Sequence, residues 1–141
     1  MILRRRRRSG FTLMEVLLVL AILVILGSMV GVSIFSIQRG AYEDSARNQI
    51  SLFEVGLDAY RLSVGTYPTT TQGLQALVAP PADLQNVNKW RGPYLRKDVP
   101  LDPWGNQYQY ELVNPEQFHI WSWGVDGMSG TADDISNITN Q

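Results

Sequence analysis

Cysteine is absent from the chain, so no disulfide and no thiolate metal site is available, and the redox compartment cannot be read from composition. Histidine occurs once, at His119, without a second imidazole or an adjacent nucleophile, which leaves no activated Ser or Cys constellation and no zinc-type site. Charge is missing from Val16 to Gln38, 23 residues, long enough as a helix to cross a hydrocarbon core of roughly 30 Å. Basic residues are scarce beyond the N-terminus: five of the twelve are Arg4 to Arg8, and the remaining seven face thirteen acidic ones, a balance of -6. With its one basic cluster confined to the first residues, the chain is not a nucleic-acid binder. At 141 residues there is room for one small domain plus a membrane helix.

What is present starts with that arginine cluster directly ahead of the uncharged run. A cytoplasmic excess of Arg orients such a helix, placing the N-terminus inside and everything after Arg39 outside. The run exceeds the apolar region of a secretory signal, and Ser33-Ile34-Phe35-Ser36-Ile37-Gln38 offers no Ala-x-Ala-like cleavage site, so the helix is expected to be kept. Glu15 sits at the edge of the apolar segment, where an unpaired buried charge costs about 2 to 3 kcal/mol or more. Either it reaches back to water beside the positive end of the helix dipole, or it meets a specific cation.

Beyond the membrane segment, Ala46, Ile50, Phe53, Leu57 and Tyr60 recur at spacings of four and three, one stripe of an amphipathic helix. No proline separates the two stretches, and Gly27, Gly31 and Gly40 are only weak points. One helix is therefore predicted from about Thr12 to about Leu62, ended by Gly65 and Tyr67-Pro68. On its polar side Glu43 with Arg47 and Asp58 with Arg61 have ion-pair spacing, whereas Glu54 and Asp58 are like charges one turn apart. That face is either simply solvated or meets a cation from a neighbouring copy, Arg96 or Lys97.

Thr69 to Val78 predicts a short helix with a threonine cap, stopped by Pro80-Pro81. Trp90 and Trp104 lie in loop segments and are expected to pack into a small core. Period-two alternation over Gln107–Leu112 and Phe118–Trp123, with Asn114-Pro115-Glu116-Gln117 between, predicts a β-hairpin with one further short strand, and His119 is a sheet residue. The fold class is α+β: a long N-terminal helix on a small antiparallel sheet. The last motif, Trp123 to Ile135, carries Asp126, Asp133 and Asp134 on a glycine-rich loop. It lacks EF-hand spacing, and is either a solvated turn or a hard-oxygen site suited to Ca²⁺. A head of roughly 80 residues without disulfides has a small core, for which a metal or oligomerisation is a common support.

Gly10-Phe11-Thr12-Leu13-Met14-Glu15 after a basic leader and before a long apolar helix resembles the type IV prepilin signature. The resemblance implies that a prepilin peptidase cuts after Gly10, removing residues 1–10, and methylates the new amino-terminus at Phe11. It also implies that Glu15 neutralises the amino-terminus of a neighbouring subunit during assembly. Tyr67-Pro68-Thr69-Thr70-x-Gln72-Gly73-Leu74 and Asp102-Pro103-Trp104-Gly105-Asn106-x-Tyr108 resemble the G-type major pseudopilins of type II secretion systems. Membership there implies residues 11–38 as transmembrane and assembly helix and 39–141 as a periplasmic head. The implied product is a helical homopolymer that drives export of folded proteins. Its implied partners are minor pseudopilins, the inner-membrane assembly platform, the outer-membrane secretin and inner-membrane lipid. The same likeness implies a structural Ca²⁺ on Asp126, Asp133 and Asp134, completed by carbonyls of Trp123 and Met128 and by Thr131. The sequence departs from many pilin-like helices in having Val32 where they carry proline. An adhesive or motility type IV pilin shares the first half of the pattern; a membrane-anchored enzyme has no catalytic constellation to support it.

Overall fold

The computed structural model describes residues 10–138; the expected leader as far as Ser9, Arg4 to Arg8 included, lies outside the described residues, as do the side chains of 29–35. The elements in order are helix α1 (Leu13–Val64), 3₁₀ turns at Leu74–Leu77 and Val87–Lys89, and strands β1 (Gln109–Asn114), β2 (Gln117–Ser122) and β3 (Ile135–Ser136). The chain divides between Arg39 and Gly40 into two units.

In the first unit α1 begins on Thr12, whose hydroxyl accepts the Glu15 N–H at 3.2 Å and whose carbonyl accepts the Val16 N–H at 3.3 Å. The large aliphatic side chains from Val16 to Leu26 are all exposed, between 47% and 72%. A helix turn that is apolar all round finds no stable place in water. Among the described residues no helix is long and apolar enough to cross a membrane. The uncharged run seen in the sequence extends through residues 29–35, whose side chains are not among those described.

In the second unit the predicted stripe is the core side of the helix: Ala46, Ile50, Phe53, Leu57 and Tyr60 are all buried. Phe53 meets Tyr108 edge-on at 5.1 Å, and Tyr67 meets Phe118 at 4.8 Å, so the helix and the sheet share one aromatic-rich core. Trp90 and Trp104 pack against its edge as expected, the Trp90 indole N–H donating to the Ala76 carbonyl at 2.9 Å. After Val64 the Gly65 N–H closes onto the Arg61 carbonyl at 2.8 Å, the hydrogen bond of a helix C-terminus.

Two local expectations are corrected. Thr69 and Gln72 do form a reciprocal cap, the Thr69 hydroxyl accepting the Gln72 N–H at 3.2 Å and the Gln72 side chain accepting the Thr69 N–H at 3.0 Å. No α-helix follows, because Gly73 turns to a φ of 58° and only the 3₁₀ turn Leu74–Leu77 forms. The Asp58–Arg61 pair also yields to tertiary contacts. Arg61 reaches Glu116 at 3.3 Å and lies over the Tyr67 ring, while Asp58 accepts the Tyr67 hydroxyl at 2.8 Å.

The sheet is antiparallel in the order β1-β2-β3, with Tyr110 opposite Ile120 and Ser122 opposite Ile135. Tyr110 and Ile120 face the core, and the Tyr110 hydroxyl donates to the Pro68 carbonyl at 2.8 Å. His119 lies on the other face, opposite Glu111 and stacked on Trp121 at 4.5 Å, a sheet residue as predicted.

Candidate assembly motif and acidic loop

Gly10, Phe11 and Glu15 are exposed, and Phe11 at 82% is among the most exposed apolar side chains described. Thr12 and Glu15 stand at the first and last positions of a Thr-x-x-Glu box, so the carboxylate is carried in the first helical turn, beside the positive end of the dipole. What this turn presents is an apolar side chain, a capped helix start and one negative charge. The Thr-x-x-Glu spacing is itself the sequence signal for the Thr12 cap.

The acidic loop leaves β2 at Ser122 and returns at β3. Its carboxylates first fold the loop itself: Asp126 Oδ1 accepts the Met128 N–H at 2.8 Å, Asp133 Oδ2 the Asp126 N–H at 3.1 Å, and Asp134 Oδ2 the Gly130 N–H at 2.7 Å. The same three side chains converge on one atom. Thr131 Oγ1 lies 2.8 Å from Asp133 Oδ1, 3.2 Å from the Met128 carbonyl, 3.4 Å from Asp126 Oδ1 and 3.5 Å from Asp134 Oδ1. A hydroxyl has a single proton to donate, so it satisfies one of these four acceptors at a time. The Thr131 hydroxyl, and after it the Asp126 N–H, holds the Asp133 carboxyl below the usual carboxylate range.

Among the described residues no group of three or more Asp, Glu or His side chains is arranged to hold a metal ion. The donor chemistry around Thr131 is nevertheless all hard oxygen, from three carboxylates, a hydroxyl and a carbonyl, which is the set a Ca²⁺ ion takes and a softer metal does not. Trp123, the remaining expected ligand, stands at the loop entrance with its indole N–H buried and without a hydrogen-bond partner among the described residues.

Gly124 is where the two ends of the loop press together. Its φ is 67°, and a Cβ there would lie 2.2 Å from the Asp133 carbonyl oxygen and 2.7 Å from Asp133 Oδ2. Below it is a pair that sequence reading missed. Asp102, 4% exposed, accepts the N–H groups of Trp104 at 3.0 Å and Asn106 at 2.8 Å on Oδ1, and the Ser122 hydroxyl at 2.6 Å on Oδ2. Asp-Pro-x-Gly-Asn is a turn signature in which the Asp side chain accepts the N–H two residues on, and this was the available signal. Burial, with the Asp102 charge nearby, pushes the Tyr108 hydroxyl up to about 12.

The chain is similar to known proteins along nearly its whole length. Residues 33–141 match the family described as type II secretion system protein G, and residues 5–31 match the prokaryotic N-terminal methylation motif. The type II secretion system core protein G of Aeromonas hydrophila is 43% identical over 139 residues, covering 96% of this chain and 95% of that protein. The core protein G of Pseudomonas aeruginosa is 37% identical, covering 98% of each chain. Among solved structures, the major pseudopilin from the type 2 secretion system of enterohaemorrhagic Escherichia coli superposes with a TM-score of 0.63 at 36% identity, covering 73% of this chain and 91% of that one. These likenesses favour secretion over an adhesive fibre and leave no place for an enzyme. The chain belongs to the protein G family of type II secretion systems, the structural and non-enzymatic major pseudopilins that carry the N-terminal methylation motif.

Proposed function

We propose that the chain is stored in the inner membrane, N-terminus in the cytoplasm and head in the periplasm, and polymerises there into a periplasmic pseudopilus. A prepilin peptidase cuts after Gly10 and methylates Phe11, and residues 11–38 serve first as membrane anchor and then as assembly helix. Glu15 gives up its place at the membrane rim for the new amino-terminus of a neighbouring copy, a charge pair that makes leaving the bilayer sideways less costly. The minor pseudopilins, the inner-membrane assembly platform and the outer-membrane secretin are its working partners, and growth of the homopolymer pushes folded proteins outward.

The observation that carries this is the position of Gly10 to Glu15, directly at the start of a helix whose aliphatic side chains from Val16 to Leu26 are all exposed. Mass spectrometry of the membrane-extracted protein tests it. The expected mass corresponds to a chain beginning at methylated Phe11, and an intact arginine leader on the export-competent protein overturns it.

For the head we infer a structural Ca²⁺, held by Asp126, Asp133, Asp134 and Thr131 with the carbonyls of Met128 and Trp123. The support is the crowding of four oxygen acceptors on the single Thr131 hydroxyl, which a divalent cation would neutralise. When bound, the ion supplies charge compensation and loop closure, and no chemistry. Melting of the detergent-solubilised full chain in calcium and in chelator separates the outcomes: a higher transition in calcium is expected, and identical transitions rule the ion out.

A further inference from the structure

We propose that Asp102 and Ser122, neither of them a ligand, are positioning residues that set the cation affinity of the acidic loop from inside the core; this rests on the calcium reading above. They are the two buried polar or charged residues among those described, at 4% and 0% exposure. Burying a carboxylate is costly unless donors surround it, and an apolar pair of similar size would fill the same space without that cost. Asp102 is held by three donors, of which the Ser122 hydroxyl at 2.6 Å is in the range of a charge-assisted bond.

That bond has a direction, and the direction reaches the loop. A carboxylate accepts only, so the Ser122 proton must point at Asp102, which turns the Ser122 lone pairs toward the Gly124 N–H at 3.2 Å. Gly124 in turn is in contact with Asp133, whose two carboxylate oxygens take the Asp126 N–H and the Thr131 hydroxyl. One buried charge thus fixes the entrance of the loop. Ligands held in place before binding lose less freedom on binding, so loosening the anchor weakens affinity without removing a donor.

The test titrates Ca²⁺ into the detergent-solubilised full chain, well below its melting transition, for the unmodified protein, Ser122→Ala, Asp102→Asn and the ligand variant Asp126→Ala. Circular dichroism verifies that each is folded in chelator. Ser122→Ala and Asp102→Asn are expected to raise the Kd about tenfold or more while remaining folded. A lowered melting temperature with a Kd within about twofold of the unmodified chain overturns the proposal, since a purely structural pair would behave that way. Should Asp102→Asn fail to fold, Ser122→Ala decides alone. Absence of calcium binding by the unmodified chain is a different failure, one that removes the calcium reading and the proposal together.

Discussion

The Thr12 hydroxyl accepts the backbone N–H of Glu15 at 3.2 Å, so the residue that offers the charge is also the residue that is capped. The two contributions separate by mutation. Thr12→Ala removes the cap, worth about 1 kcal/mol, and leaves the charge; Glu15→Gln leaves the capped N–H and removes the charge. If the charge is what assembly needs, Glu15→Gln stops export, whereas Thr12→Ala lowers it by no more than about fivefold, the equivalent of the lost cap. Exoprotein activity in the culture medium and subunit cross-linking measure both, and equal losses would transfer the role from the carboxylate to the cap.

In the head, Leu57 is fully buried on the core side of α1 while Leu62, little more than one turn on, is 88% exposed. Leu57→Ala is expected to destabilise by about 2 to 5 kcal/mol through lost transfer energy and the cavity left behind. Leu62→Ala should stay within about 0.5 kcal/mol of the parent. Urea unfolding of the full chain in detergent compares them, and similar midpoints for the two would contradict the placement of the core.

Why the helix and hairpin were legible while the buried Asp102–Ser122 pair was not follows from the range of the signals. The stripe Ala46, Ile50, Phe53, Leu57 and Tyr60 is a periodicity within one element, and the alternation over Gln107–Leu112 and Phe118–Trp123 is another, its strands lying at Gln109–Asn114 and Gln117–Ser122. Arg61 shows the limit. Its local partner by spacing was Asp58, but in the folded head it reaches Glu116 at 3.3 Å and lies over the Tyr67 ring, and no local pattern announces a contact 55 residues away. Asp102 and Ser122, 20 residues apart, were hidden for the same reason, and Gly73 ended a helix that the Thr69–Gln72 cap had begun.

Acidification should loosen the loop through Asp133. Its carboxyl is lowered first by the Thr131 hydroxyl and then by the Asp126 N–H. Folding therefore favours the ionised form, and the contribution is full above the ordinary carboxylate range and lost as pH falls through the lowered folded value. In chelator, hydrogen-exchange protection of the Asp126 amide should decline over that acidic window and be flat in Asp133→Asn. Protection that rises on acidification would reverse the sign.

Gly124→Ala tests whether close approach, and not sequence length, shapes the loop. A methyl group there meets the Asp133 carbonyl oxygen at 2.2 Å, a backbone atom that cannot swing aside as a side chain would, and the φ of 67° adds strain of its own. The segment bearing Asp133 must move away, taking with it the bonds to the Asp126 N–H and the Thr131 hydroxyl. The substitution lies outside the apolar cluster, so the helix and sheet should stay intact by circular dichroism while the rise in melting temperature expected from the proposed calcium site disappears. Gly130→Ala is the control, because a Cβ there meets nothing within 4 Å and only the strain of its φ of 85° remains. A smaller loss for Gly130→Ala than for Gly124→Ala assigns the effect to the contact with Asp133, and equal losses assign it to backbone conformation alone.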